Sequence, residues 1–180
     1  MPAEKQMKQT VALDFDDTFA NTTSRIGSIR DSVISTAIKN ISYNFAEMLH
    51  IGKHRIERVV LEKGTKLEFN SEILALVREG KYDFYISTMN GETEAINNLL
   101  SEEGIPLRAV KSNDIIKSSA PILVDNNITT VLSRHRRGMP TVLWVNDFNS
   151  LFAPLLRRIG IPTASNKEEL SNALDKIARG

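Results

Sequence analysis

The sequence predicts an α/β protein, a parallel sheet flanked by helices, with a small helical cap inserted after the first strand. Three observations lead there. From residue 69 onward, short apolar runs of strand length alternate with segments of helical periodicity, the pattern of strand–helix–strand units. The runs are apolar almost throughout, as strands covered on both faces are. One stretch, residues 22–64, breaks the rhythm with helical periodicity alone.

Each element can be justified in turn. "VALDFDD" at residues 11–17 reads as a buried strand that ends in Asp14, Asp16 and Asp17. In the segment that follows, Ile29, Val33, Ala37, Ile38, Ile41, Phe45 and Met48 recur near helical spacing, which predicts one long amphipathic helix. "HRIERVVLEKG" adds a second, shorter one. Residues 1–21 and 65–180 are therefore expected to form the core, and residues 22–64 the cap. "NSEILALVREG" reads as a helix capped by Asn70 and stopped by Gly80, and "DFYIS" as a buried strand. "ETEAINNLLSEEG" is a helix up to Gly104, "LRAV" a short strand, and "NDIIKSS" a short helix. "PILVD" is a strand, "ITTVLSRHRRG" a helix up to Gly138, and "TVLWV" a strand that places Trp144 in the core. The final helix, "NKEELSNALDKIA", carries a capping-box pattern in Ser165 and Glu168. The whole is a Rossmann-like core.

Composition narrows the function. The 180 residues suit one domain with a small appendage, and a hydrophobic share of 41% supplies a core. The formal net charge of +1 excludes a globally basic nucleic-acid binder. Without cysteine there is no disulfide or thiolate chemistry, which agrees with a reducing compartment. "MPAEKQMKQT" lacks the apolar core of a signal peptide, and no stretch reaches membrane-spanning length. A cytoplasmic protein with no membrane partner is expected.

The chemistry lies at the strand ends. Along a strand, residues two apart point the same way, so Asp14 and Asp16 share a side and Phe15 faces the other. Crowded carboxylates repel and are costly to bury. A hard cation resolves this, and Mg²⁺ favours carboxylates plus substrate phosphate. Ligands of parallel α/β sheets bind at the carboxyl ends of strands, and the other strand ends supply matching groups. Ser87 and Thr88 offer hydroxyl donors for a phosphate oxygen, Lys111 a positive charge, and Asp125 and Asn126 further oxygen ligands. Acid, hydroxyl, lysine and acid, each closing an apolar run, form a phosphoryl-transfer set.

These motifs resemble, in order, the four motifs of the haloacid-dehalogenase superfamily, whose members are mostly phosphatases. "DFDDT" matches the first, "FYIST" the second, Lys111 in "KSNDIIK" the third and "ILVDNN" the fourth. The resemblance spans about residues 10 to 145 and implies a fold of this type with a Mg²⁺ cofactor. It implies Asp14 as a nucleophile that forms an aspartyl-phosphate, and Asp16 as general acid and then base. The Asp16 backbone carbonyl, Asp14, Asp125 and Asn126 would hold the metal, and Thr18 would orient the loop. Ser87 or Thr88 would bind a phosphoryl oxygen, and Lys111 would neutralise charge. The Asp-Asn form of the fourth motif resembles that of the carboxy-terminal-domain phosphatase branch. An insertion after the first motif implies a covered site and a small phosphomonoester such as a nucleotide, with Asn21, Thr22, Ser24 and Arg25 as substrate contacts.

Other readings of the same residues stay open here. Asp17 stands where relatives often carry Gly and suits a capping role as well as a catalytic one. Lys117 competes with Lys111. The basic run Arg134 to Arg137 is most simply a helix C-terminus, yet it also supports a phosphatase acting on nucleic-acid ends. His50 and His54 lack metal-ligand spacing. The Asp125-Asn126 pair also allows a catalytically compromised binding or regulatory module.

Overall fold

The structure is a computed structural model that describes residues 8–21, 67–88, 93–112, 120–147 and 149–179. Its centre is a six-stranded sheet in the order β5-β4-β1-β6-β7-β8. The strands are β1 (Thr10–Leu13), β4 (Asp83–Thr88), β5 (Ala109–Lys111), β6 (Ile122–Asp125), β7 (Thr141–Trp144) and β8 (Thr163–Ala164). Every neighbouring pair in it is parallel. The chain leaves β1 toward β4 and β5 on one side, then returns to β6 on the other. β1 thus lies at the point where the strand order reverses, the place where open α/β sheets bind ligands.

Side-chain alternation divides the core between the two faces. Val11, Leu13 and Phe15 join Ile86 and Val124 on one face, beneath the helices α1 (Ser71–Glu79), α2 (Thr93–Glu102) and α5 (Lys167–Arg179). Those helices contribute Ile73, Leu76, Ile96, Leu100, Leu170 and Leu174, all fully buried. On the opposite face Ala12 and Leu123 pack with Tyr85. Further along that face, Val131 of α3 (Ile128–Arg136) and Leu156 of α4 (Ala153–Arg158) meet Leu143.

The helix boundaries follow local chemistry. Asn70 caps α1 by accepting from the backbone N–H groups of Glu72 and Ile73, and Gly80 ends it at φ +65, a conformation that costs glycine little. Asn127 caps α3 in the same way through Thr129 and Thr130. Outside the large sheet, β2 (Ala20–Asn21) and β3 (Glu68–Phe69) form a short antiparallel pair. This pair sets the two ends of residues 22–66 side by side. The two expected cap helices lie in that stretch, outside the described residues, as does the expected helix "NDIIKSS" at 113–119.

The structure departs from the sequence reading in several places. Helix α4 and strand β8 were not predicted. α4 has no side-chain cap, since Phe152 occupies its N-cap position, which leaves Pro154 in the first turn as its start signal, and Leu155 and Ile159 point outward, so the apolar pattern is misleading. β5 runs Ala109–Lys111 instead of starting at Leu107. The capping box of α5 is shifted by one residue: Asn166 accepts from the Glu169 N–H, and the Glu169 carboxylate accepts from the Ser165 backbone and hydroxyl. Those contacts hold the Glu169 carboxyl below its ordinary range, the backbone hydrogen bond from Ser165 most of all.

Arg134 lies in the last turn of α3, as the sequence reading has it, and is buried there. It is 2% exposed and donates to the carbonyls of Ala120 and Pro140 at 2.6 and 2.9 Å. Desolvation lowers its pKa. It ties the approaches to β6 and β7 together at their amino ends, so it is a structural residue and not part of a solvated basic surface. Among the described residues no helix is long and apolar enough to cross a membrane.

A polar staple fixes the last helix to the sheet. Asp175 of α5 accepts from Lys81 and from the Tyr82 hydroxyl, both at 2.6 Å. The Lys81 hydrogen bond, followed by that of Tyr82, holds the Asp175 carboxyl below its ordinary range. A depressed folded-state pKa contributes stability above the unfolded value near ~4 and loses it as pH falls through the folded value. Asp175→Asn should therefore lower Tm modestly at pH 7, because the pair is largely solvent-screened. It should also flatten the loss of Tm below about pH 4, which thermal melts across pH 2–7 would measure.

Candidate active site

The site is built on the carboxyl ends of three adjacent strands. The last paired residues are Leu13 with Ile86 and Leu13 with Val124. The next residue of each strand path, Asp14, Ser87 and Asp125, therefore comes level with the others on one face. The Asp14 N–H donates to the Val124 carbonyl at 2.9 Å, which extends the ladder to that position. Asp14 is 3% exposed and Asp125 fully buried. One strand further out, Lys111 pairs with Thr88. Lys111 is exposed and Thr88 buried.

After Asp14 the chain must turn sharply while keeping its carboxylates near the sheet. Phe15 and Phe19 drive this, because both are fully buried and anchor the turn in the core. The Phe15 carbonyl accepts from the N–H groups of Phe19 and Ala20, and the Asp17 N–H donates to the Ala20 carbonyl. The turn requires φ +55 at Asp17. Asp tolerates this left-handed region better than most residues, and Gly tolerates it best. Backbone geometry thus favours Asp or Gly at position 17.

Thr18 locks the turn to the fourth motif. Its hydroxyl donates to Asn126 Oδ1 at 3.2 Å and accepts from the Asn126 N–H at 3.0 Å, with both residues buried. Asp125 Oδ1 in turn accepts from the Asn127 N–H at 2.8 Å. Three asparagines that the sequence reading did not assign to the site complete the framework. Asn70, read only as a helix cap, also donates to the Thr18 carbonyl. Asn146 donates to the Asp17 carbonyl. Asn149 donates to the carbonyls of Asn126 and Trp144, both at 2.8 Å. "VNDFNS" after β7 carried only a turn signal, so nothing in the sequence marked the last two.

Ser87 and Thr88 differ in their surroundings. The Ser87 hydroxyl is buried and has no hydrogen-bond partner among the described residues. An unmet buried hydroxyl is costly, and its level beside Asp14 suits a phosphoryl oxygen. The oxygen-only donor set of Asp14, Asp125, the Asp16 carbonyl and Asn126 fits a hard cation such as Mg²⁺. Among the described residues no three His, Cys, Asp or Glu side chains converge to cage a metal by themselves. That donor set draws on only two carboxylate side chains and leaves ligand positions for water and phosphate.

A cleft of about 370 Å³ opens beside the turn, lined by Asp17, Asn21, Glu68, Phe69, Trp144 and Asp147 among others. It includes Thr18 but not Asp14, Ser87 or Lys111. Asn21 sits on β2 at its rim, exposed. Thr22, Ser24 and Arg25, the other expected substrate contacts, lie outside the described residues.

Comparison with solved structures identifies the fold. The chain matches a haloacid dehalogenase-like family hydrolase from Streptococcus pneumoniae with a TM-score of 0.63 at 13% identity, covering 93% of this chain and 98% of that one. It matches a haloacid dehalogenase-like protein of unknown function from Agrobacterium tumefaciens with a TM-score of 0.60 at 11% identity, covering 96% and 100%. A HAD-hydrolase from Bacillus subtilis, described as bound to magnesium, matches with a TM-score of 0.50 at 10% identity, covering 83% and 99%. No protein-family model matches the sequence, and no curated protein does. The chain has the haloacid dehalogenase-like fold, as its motifs implied.

Substitutions at two positions test this framework. Thr18→Val keeps the shape but strips Asn126 of two buried hydrogen bonds, and should cost about 1–3 kcal/mol in urea melts. At Asp17, Gly should leave stability unchanged or raise it, whereas Ala should lower it by about 1 kcal/mol through the left-handed backbone.

Proposed function

We propose that the chain is a Mg²⁺-dependent phosphomonoester hydrolase that works through an aspartyl-phosphate. The observation that carries this reading is the buried set Asp14, Ser87 and Asp125, level on adjacent strand ends at the point where strand order reverses. A carboxylate nucleophile, a hydroxyl donor and a second hard ligand there are what phosphoryl transfer to a protein side chain needs.

In this reading an Asp14 oxygen attacks phosphorus while the bond to the leaving oxygen breaks, and Asp16 gives that oxygen its proton. Water then attacks the phospho-enzyme, passing its proton to Asp16, and the bond between Asp14 and phosphorus breaks to release phosphate. The Ser87 hydroxyl donates to a phosphoryl oxygen, whereas Lys111, expected to offset charge there, pairs with Thr88 on the other face of the sheet and takes no part in this reading. Asp14, Asp125, the Asp16 carbonyl and Asn126 would hold Mg²⁺, which supplies further charge neutralisation. The magnesium described in the Bacillus subtilis neighbour agrees with this cofactor.

The substrate class is a small phosphorylated metabolite such as a nucleotide, met in the cytoplasm. Burial of Arg134 at the amino ends of the strands supports this over a nucleic-acid end. α3 carries the basic run away from the site by its own length, about 13 Å for nine residues.

Phosphate release from an aryl phosphate and from a panel of nucleotides and sugar phosphates tests the proposal. Wild type should turn over only with Mg²⁺, and Asp14→Asn should lose about 10³-fold or more in kcat. Turnover that survives Asp14→Asn would exclude the aspartyl-phosphate route.

A further inference from the structure

A second buried hydroxyl lies beside the first, in a residue that neither the motifs nor the mechanism uses. Ser112 follows Lys111 at the end of β5 and is 3% exposed. Its N–H donates to the Thr88 carbonyl at 2.7 Å, so the parallel ladder between β4 and β5 continues to this residue. Its Oγ, like that of Ser87, has no hydrogen-bond partner among the described residues.

Register fixes the direction of its side chain. Ser87 pairs with Val110 and Thr88 with Lys111. Alternation then puts Ser112 on the face shared by Ser87 and Asp14, and Lys111 on the other. Ser112 is buried, while Val110 on the same face is 39% exposed and Lys111 on the other face is exposed. Ser112 lies one strand across from Ser87 and two residues further out. Strands ~4.8 Å apart with a rise of ~3.3 Å per residue put the two backbone positions about 8 Å apart. Two hydroxyls reaching inward over that gap can donate to two oxygens of one phosphoryl group. The shift along the strand places Ser112 further out at the carboxyl end of the sheet.

We infer that Ser112 is a second phosphoryl-binding residue, donating its hydroxyl to a non-bridging phosphate oxygen that Ser87 does not take. The inference rests on the phosphoryl-transfer reading above. Leaving a hydroxyl unmet in a buried position costs stability, and two on one face at neighbouring strand ends are explained together by one anionic ligand. Hydroxyls suit this role beside Asp14 because they donate without adding charge to the carboxylates.

The test uses the full chain and inorganic phosphate with Mg²⁺, comparing wild type, Ser87→Ala and Ser112→Ala by calorimetric titration and by thermal melts without ligand. Removing an unmet hydroxyl should leave the ligand-free Tm of Ser112→Ala unchanged or higher. The same change should weaken phosphate binding about 10-fold or more, as expected for a lost hydrogen bond to a charged group. If Ser87→Ala loses affinity while Ser112→Ala binds like wild type, the inference is overturned and the hydrolase reading stands. A lower ligand-free Tm in Ser112→Ala would show the hydroxyl to be structural and overturn it as well. If wild type itself binds no phosphate, both fall.

Discussion

The turn from Asp14 to Ala20 is the constraint around which the rest of the carboxyl end is arranged. Within seven residues the chain must stop being a central strand, present carboxylates, reverse direction and deliver residues 20–21 to a separate antiparallel pair. Phe15 and Phe19 make this possible, because burying two aromatic side chains is worth several kcal/mol. That gain opposes the cost of holding Asp14, Asp16 and Asp17 at 3%, 4% and 9% exposure. The Phe19 ring also meets Phe69 at 5.4 Å, so the same anchor fixes the start of α1. The acids are held where they are because apolar burial on the opposite side holds them.

The framework around that turn is built from neutral amides. Asn70, Asn146 and Asn149 donate to the carbonyls of Thr18, Asp17 and Asn126. Asn126 joins Thr18 through both its side chain and its backbone. An asparagine orients a backbone carbonyl without bringing a charge, whereas a lysine or arginine in its place would add one. Geometry and charge are thereby separated: the amides fix where the carboxylates stand and leave their negative field for a ligand to answer. Asn70 shows how economical this is, since one side chain caps α1 with its oxygen and holds the turn with its nitrogen.

Much of this was legible in the sequence, for physical reasons that also explain the misses. Buried parallel strands must be apolar throughout, so β1, β4, β6 and β7 stood out, and a carboxylate closing such a run is conspicuous. Asn70 and Gly80 announced α1 because caps and left-handed stops demand those residues. α4 was invisible for the converse reason, as it starts without a side-chain cap and turns Leu155 and Ile159 outward. β8 has two residues and no periodicity to read. Arg134 misled because arginine is seldom fully buried, and only the structure reveals the two strand-end carbonyls that accept from it. Asn146 and Asn149 act through partners far away in the chain, and a polar turn cluster does not announce such contacts. Ser112 was masked by its neighbour Lys111, whose charge drew the reading.

The β2–β3 pair links the turn to everything inserted after it. Ala20 pairs with Phe69 and Asn21 with Glu68, and the Asn70 N–H donates to the Phe19 carbonyl. Residues 20–21 and 68–70 therefore form one bracket that closes the insertion at its base. Asp16 bridges to Ala20, and the Asp17 N–H donates to the Ala20 carbonyl. Asp16 and Asp17 lie one hydrogen-bonded step from the bracket, while the Asp14 N–H is held on the β1–β6 ladder. Asp14 and Asp16 thus have different supports, Asp14 the ladder of the sheet and Asp16 the bracket.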